Sequence, residues 1–155
     1  MKTVALFFAL IFRSAVLFAA DGSRTNILDT KNATLEGPNA RYDGGPDFHC
    51  IRDWKNTNIV ARWNFDVPAK GAYRVLLTYA CPTNLFGSEI EVTVGSQRAG
   101  GFTESTGTWI TFKEFDLGPL LLRKPGTTEV AVKITRILNK SGAWDLRTVK
   151  LVREE

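Results

Sequence analysis

Trp54, Trp109 and Trp144 stand at or beside turn segments, and each has polar company. Asp53, Lys55 and Asn56 surround the first, Thr106 and Thr108 precede the second, and Ser141 and Asp145 flank the third. An indole is a flat apolar plate. Ringed by amide, carboxylate, ammonium and hydroxyl groups, it suits a sugar, whose ring has an apolar C–H face and a rim of hydroxyls. The same tryptophans also suit plugs at the ends of a β-sandwich, so packing is the alternative role for each. Trp63 sits in mid-strand beside Asn64 and reads as core.

Groups able to break bonds are scarcer. His49 is the single histidine, which excludes a His dyad or a multi-His metal centre. It adjoins Cys50 in a strand-like run, where successive side chains point to opposite faces and cannot easily share a proton. Asp47, Asp53, Asp116 and Asp145 lie near expected strand ends, where an acid/base pair could assemble, but their spacing singles out no two of them. No GxSxG elbow, HExxH, CxxC pair, glycine-rich phosphate loop or EF-hand loop is present. The chain reads as non-catalytic, with no catalytic residues, no metal site and no cofactor.

The elements that must position these residues are strands. In the stretch Gly71–Gly95, Tyr73, Val75, Leu77 and Tyr79 alternate with Arg74, Leu76, Thr78 and Ala80. Ile90, Val92 and Val94 then alternate with Glu89, Glu91 and Thr93, the period of a half-buried antiparallel strand. Turn residues recur at short intervals from Gly37-Pro38 to Gly142. Between them we expect strands near 33–36, 48–51, 58–66, 73–79, 89–94, 97–99, 109–115, 129–136 and 146–152. No window beyond the N-terminus has a helical stripe, and there is no internal repeat. This spacing specifies an all-β fold, a jelly-roll β-sandwich of two packed antiparallel sheets. Ile59, Ala61, Trp63 and Phe65, with Val130, Val132 and Ile134, are the expected core. Leu146 falls out of phase with Val149 and Leu151, so either a bulge intervenes or both faces are covered.

The 155 residues suffice for one domain with a sizeable core. Residues 1–20 carry Lys2, an apolar run from Val4 to Phe12, and Ala19-Ala20, the pattern of a secretory signal peptide. The expected organisation is therefore a signal peptide at 1–20, a flexible lead-in at 21–30 and a β-sandwich domain at 31–155, secreted or periplasmic. Loss of Lys2 and Arg13 with the signal takes the formal charge from +4 to +2. The cations are scattered among acids, which argues against a nucleic-acid partner. No later stretch approaches the ~20 apolar residues needed to span a bilayer, so no membrane association is expected after signal cleavage. Cys50 and Cys81 permit one disulfide in an exported protein, or two buried free thiols.

Taken in order, Leu28–Gly37, Ile59–Pro68, Gly71–Cys81, Gly87–Gly95, Thr106–Phe112 with Leu117-Gly118, and Trp144–Leu151 resemble the carbohydrate-binding modules of families 6 and 35. These are galactose-binding-like jelly rolls, and the similarity is nearest to modules appended to secreted sulfatases and fucosidases. The resemblance spans about residues 28–152. It implies a cleft between end loops in which Trp109 lies under a sugar ring. It places Asp145 where an asparagine commonly bonds the sugar, a change that removes an NH2 donor. The expected carbohydrate-binding residues are Trp109, Trp54, Asp145 and Asn84. The expected partner is a polysaccharide or glycan, alongside a secreted sulfatase or glycosidase. A structural or protein-interaction jelly roll, or a small glycoside hydrolase, are the other readings. By the same register the family's calcium ligands fall on Asp29, Lys31 and Arg147, and two cations in such a set would repel Ca²⁺.

Overall fold

The computed structural model describes residues 24–155, and the expected signal peptide at 1–20 lies outside the described residues. The alternation after Gly71 produces β6 (Gly71–Ala80) and β7 (Glu89–Val94), each burying every second side chain. The two strands do not pair with each other. β6 lies between β11 (Asp145–Arg153) and β9 (Lys113–Leu122), whereas β7 lies between β10 (Gly126–Arg136) and β8 (Gln97–Phe102). The loop 81–88 therefore carries the chain from one sheet to the other. Leu85 is buried within it, while Phe86 stays exposed.

One sheet runs β3 (Arg41–Asp43), β4 (Cys50–Arg52), β11, β6, β9, with β1 (Thr25–Asp29) also paired to β11. The other runs β2 (Thr34–Glu36), β5 (Val60–Val67), β10, β7, β8. All these strand pairings are antiparallel. Among the described residues the one helical element is a 3-10 turn, Thr30–Asn32. The result is the all-β jelly-roll sandwich that the turn spacing specifies. Ile59, Ala61, Trp63 and Phe65 face inward from one sheet with Val130, Val132 and Ile134, and Tyr73, Val75, Leu77, Tyr79, Val149 and Leu151 face them from the other. Burial of each large apolar side chain contributes about 1.5–3 kcal/mol.

Three expectations need correction. The flexible lead-in is, from Thr25, a strand: Thr25–Asp29 pairs with Val152–Thr148, and only Leu28 turns fully inward, which is why the segment looks polar. The three-residue β3, Arg41–Asp43, escaped notice for the same reason. The strand expected near 109–115 begins only at Lys113 and runs on to Leu122. Gly118 and Pro119 look like strand breakers, yet β9 is a sheet edge, where a missing N–H costs little. Gly118 (φ +91°) supplies the left-handed residue at a register shift against β6. The out-of-phase Leu146 is likewise a bulge: the β6 pairing shifts between Leu146 and Thr148, leaving Arg147 as the extra residue. Cys50 and Cys81 are both free and buried, and burial pushes their thiols up to about 12 and about 11.

Candidate functional site

Four loops lie side by side at one end of the sandwich: 53–59, 81–88, 103–112 and 137–144. Backbone bonds tie them together, from Ala143 N to the Trp54 carbonyl (3.1 Å) and from Thr106 N to the Cys81 carbonyl (2.8 Å). Side chains add further ties, from Ser105 Oγ to Thr83 Oγ1 (3.1 Å) and from Asn139 Nδ2 to the Asn84 carbonyl (3.4 Å). Between them opens a cleft of about 200 Å³. Its walls hold the cations Arg52 and Lys55, the acids Asp53 and Asp145, the small residues Ser141 and Gly142, and the three turn-flanking tryptophans.

The structure separates those tryptophans. Trp109 is half-buried, one side packed on the core and the rest facing the cleft. Gly142 (φ +131°) runs beneath it, and a methyl group there would sit 3.7 Å from Trp109 Cη2. Trp54 was expected to present a stacking face and does not, being 1% exposed. The Ala143 N–H bonds the Trp54 backbone carbonyl, and the Trp54 ring meets Trp144 edge-on with centroids 5.6 Å apart. Trp144 is fully buried and also lies against Tyr79, at 5.1 Å. Trp54 and Trp144 are therefore buried beneath the cleft, and of the three Trp109 alone keeps part of its surface exposed there.

Asp145 also needs correction as a contact residue. It is only 2% exposed and its Oδ2 accepts from Arg52 Nε at 3.1 Å, so its carboxylate braces the cleft from below. Arg52 donates in turn to Asp43 Oδ2 (3.0 Å), while Arg41 Nε donates to Asp53 Oδ2 (3.0 Å) and Lys55 Nζ pairs with Asp53 Oδ1 at 3.3 Å. Burial pushes the Asp145 carboxyl up to about 6 against the pull of Arg52. At Asp53, burial acts upward too, but Lys55 and Arg41 outweigh it and hold the carboxyl below its usual range. The Gly45 N–H, then Arg52, hold Asp43 low as well. Asp53 also adopts a left-handed backbone (φ 63°) at the cleft rim, a mildly strained conformation that these partners keep in place.

Asn84 is exposed on the neighbouring loop and is not part of the cleft wall; its carbonyl, not its amide, makes the contact to Asn139. Arg52 and Gly142 are the cleft residues that sequence reasoning missed. The Arg52-Asp53 pair beside Trp54 was the available signal. His49 is exposed on a left-handed turn with Nδ1 3.2 Å from Tyr42 Oη, away from the buried Cys50 thiol.

The residues at the family's calcium positions do not fit that ion. Asp29 Oδ1 accepts from Lys31 N (2.8 Å), and Arg147 projects its guanidinium onto the carbonyls of Phe48 (2.8 and 2.9 Å) and Asp47 (2.8 Å). Its Cζ stands 3.4 Å from the centroid of the Phe112 ring. The bulge at Arg147 thus delivers a fixed organic cation to backbone oxygens that anchor the 44–49 turn. Arg147→Ala is expected to cost about 1.5–3 kcal/mol, the range for hydrogen bonds from a charged donor. Thermal denaturation checks this, and added calcium should not restore the loss.

No protein-family model matches the sequence, and no curated protein matches it. Solved structures match the fold. A family 35 carbohydrate binding module from Clostridium thermocellum superposes with a TM-score of 0.67 at 16% identity, over 82% of this chain and 98% of that one. Another family 35 module from Clostridium thermocellum gives 0.59 at 22% identity, over 82% and 96%. The CBM36-1 domain of a multidomain xylanase from the hindgut metagenome of Trinervitermes trinervoides gives 0.63 at 11% identity, over 84% and 98%. At such identities the likeness establishes a shared jelly-roll architecture.

Proposed function

We propose that this chain is a secreted, non-catalytic carbohydrate-binding module that takes a polysaccharide or glycan in the loop-end cleft at Trp109. The observation that carries the reading is the half-buried indole of Trp109 beside a cleft that also holds Lys55, Asp53 and Ser141. A sugar ring stacks its C–H face on the indole while these groups bond its hydroxyls. The fold it shares with carbohydrate-binding modules of families 35 and 36 supports the assignment. The carboxylates near the cleft are committed to ion pairs, Asp53 with Arg41 and Lys55 and Asp145 with Arg52. That commitment suits a rigid binding surface better than an acid/base pair. A sulfatase or glycosidase acting on the same polymer is the natural associate of such a module.

The burial of Asp145 favours a second reading, a jelly roll that contacts protein, since the carboxylate at the expected sugar-bonding position cannot reach a ligand. One experiment separates the two. The domain is screened on a broad glycan panel, and hits are titrated in solution by intrinsic fluorescence and calorimetry. The module reading expects at least one saturable ligand, and loss of binding by about 30-fold or more in Trp109→Ala, equivalent to about 2 kcal/mol for a stacked ring. A flat response across the panel overturns it.

A further inference from the structure

A second cavity, of about 510 Å³, lies at the other end of the sandwich from the Trp109 cleft. It is framed by the β7–β8 turn and the β9–β10 turn. The 11 residues of β10 separate it from the loop cluster described above, roughly 35 Å at the rise of a strand. Its floor is apolar, formed by Val67, Val94 and Leu122, with Leu121 half-exposed at one edge. Its rim carries Arg123 and Lys124, both exposed.

Arg123 and Lys124 are two of the eight described cations held in no ion pair, with Lys31, Lys70, Lys113, Lys140, Arg147 and Arg153, and they are the two that share one cavity rim. The described residues contain 14 ion pairs, in which Arg24, Arg41, Arg52, Lys55, Arg62, Arg74, Arg98, Lys133, Arg136 and Lys150 all find carboxylates. Neither Arg123 nor Lys124 has such a partner among the described residues. Lys70 adds positive charge on the adjacent turn, since it precedes Gly71, whose strand partner is Leu122. Asp66, which accepts from the Thr127 hydroxyl, does not line the cavity. The side chains of Ser96, Gln97 and Thr128 also line the cavity with no hydrogen-bond partner among the described residues.

We propose that this groove is a second binding site, specific for the sulfate or carboxylate groups of an anionic polysaccharide. Arg123 and Lys124 pair with the charged substituents, Ser96, Gln97 and Thr128 bond the hydroxyls, and Leu121 meets the apolar edge of a ring. No Phe, Tyr or Trp lines it, so it lacks the stacking platform on which single-stranded nucleic acid depends. Its ligand class goes beyond the Trp109 reading, and the two sites stand or fall separately.

The test is calorimetric titration of the parent chain, of Arg123→Gln/Lys124→Gln and of Trp109→Ala with dextran sulfate, polygalacturonate and neutral dextran. Both exchanged residues lie in an exposed turn, so the double variant should fold as the parent does. The parent should bind at least one anionic polymer and not neutral dextran. The double variant should lose about tenfold in affinity at low salt, the sum of two exposed charge contacts, while Trp109→Ala binds as the parent does. Unchanged affinity in the double variant overturns the proposal, as does failure of the parent to bind either anionic polymer. Loss of the anionic binding in Trp109→Ala, or duplex DNA competing as well as dextran sulfate, overturns it too.

Discussion

Arg52→Ala is expected to destabilise the domain by about 3–5 kcal/mol at pH 7, the range for removing one member of a buried ion pair, and by clearly less at pH 5. Asp145 accepts from Arg52 Nε at 3.1 Å, and its side chain is 3% exposed. Without the guanidinium, a charged carboxylate is left in the protein interior or must take up a proton. Burial already raises this carboxyl to about 6 in the folded chain, against an ordinary value of 3.8. The folded state therefore holds the proton more tightly than the unfolded one. The stabilisation this provides is complete below about pH 4 and is lost as pH rises through 6, a change of about 3 kcal/mol. Asp43, Asp53, Glu91 and Asp116 are held low and act in the opposite sense, withdrawing stability as pH falls through the acid range. The parent should accordingly be more stable near pH 5 than at pH 7. Asp145→Asn should flatten that slope, and Arg52→Ala should steepen it. Denaturant midpoints of the three proteins at the two pH values decide the matter; parallel profiles would refute it.

That pair also marks the limit of what the sequence discloses. The inward faces of β5, β6, β7 and β10 were readable because their alternation is local and every second residue is apolar. The strand β1 was not: TNILD gains its partner only from Val152–Thr148, more than a hundred residues on, and as an edge it needs one buried residue. Trp109–Phe112 looks like a strand by residue type. Its hydroxyls decide otherwise, since Thr108 Oγ1 bonds Thr111 Oγ1 (2.9 Å) and accepts from Ile110 N (3.2 Å), forming a turn that tips Trp109 toward the cleft. In the site, residue types were legible but depth was not. Trp54, Trp109 and Trp144 look alike beside their turns, and only their packing on one another and on Tyr79 sinks Trp54 and Trp144 into the interior. Arg52 looks like one more surface cation until β11 brings Asp145 beside it, 93 residues away in sequence.

The depth difference yields the second large effect. Trp144→Ala is expected to cost about 3–5 kcal/mol, as for other large buried aromatics, because the ring packs against both Trp54 and Tyr79 with no exposed surface. Trp109→Ala, removing a half-buried ring, should cost far less stability while losing glycan binding. Trp144→Ala should lose both, since the cleft floor collapses with the core. Substitution by phenylalanine separates packing from hydrogen bonding. Trp63 Nε1 donates to the Asp29 carbonyl at 2.8 Å, whereas Trp144 Nε1 has no acceptor among the described residues. Trp63→Phe strands a carbonyl at the β1 end and should cost about 1–3 kcal/mol. Trp144→Phe keeps an aromatic ring, sheds a buried donor that gains nothing from the protein, and should cost less than Trp63→Phe. Chemical denaturation of the four variants gives the order Trp144→Ala, Trp63→Phe, then Trp144→Phe and Trp109→Ala. If Trp144→Phe proved the costlier of the two phenylalanine variants, the indole N–H under the cleft would have to be bonded, and the floor beneath Trp109 would be polar and hydrogen-bonded instead of a dry stack of rings.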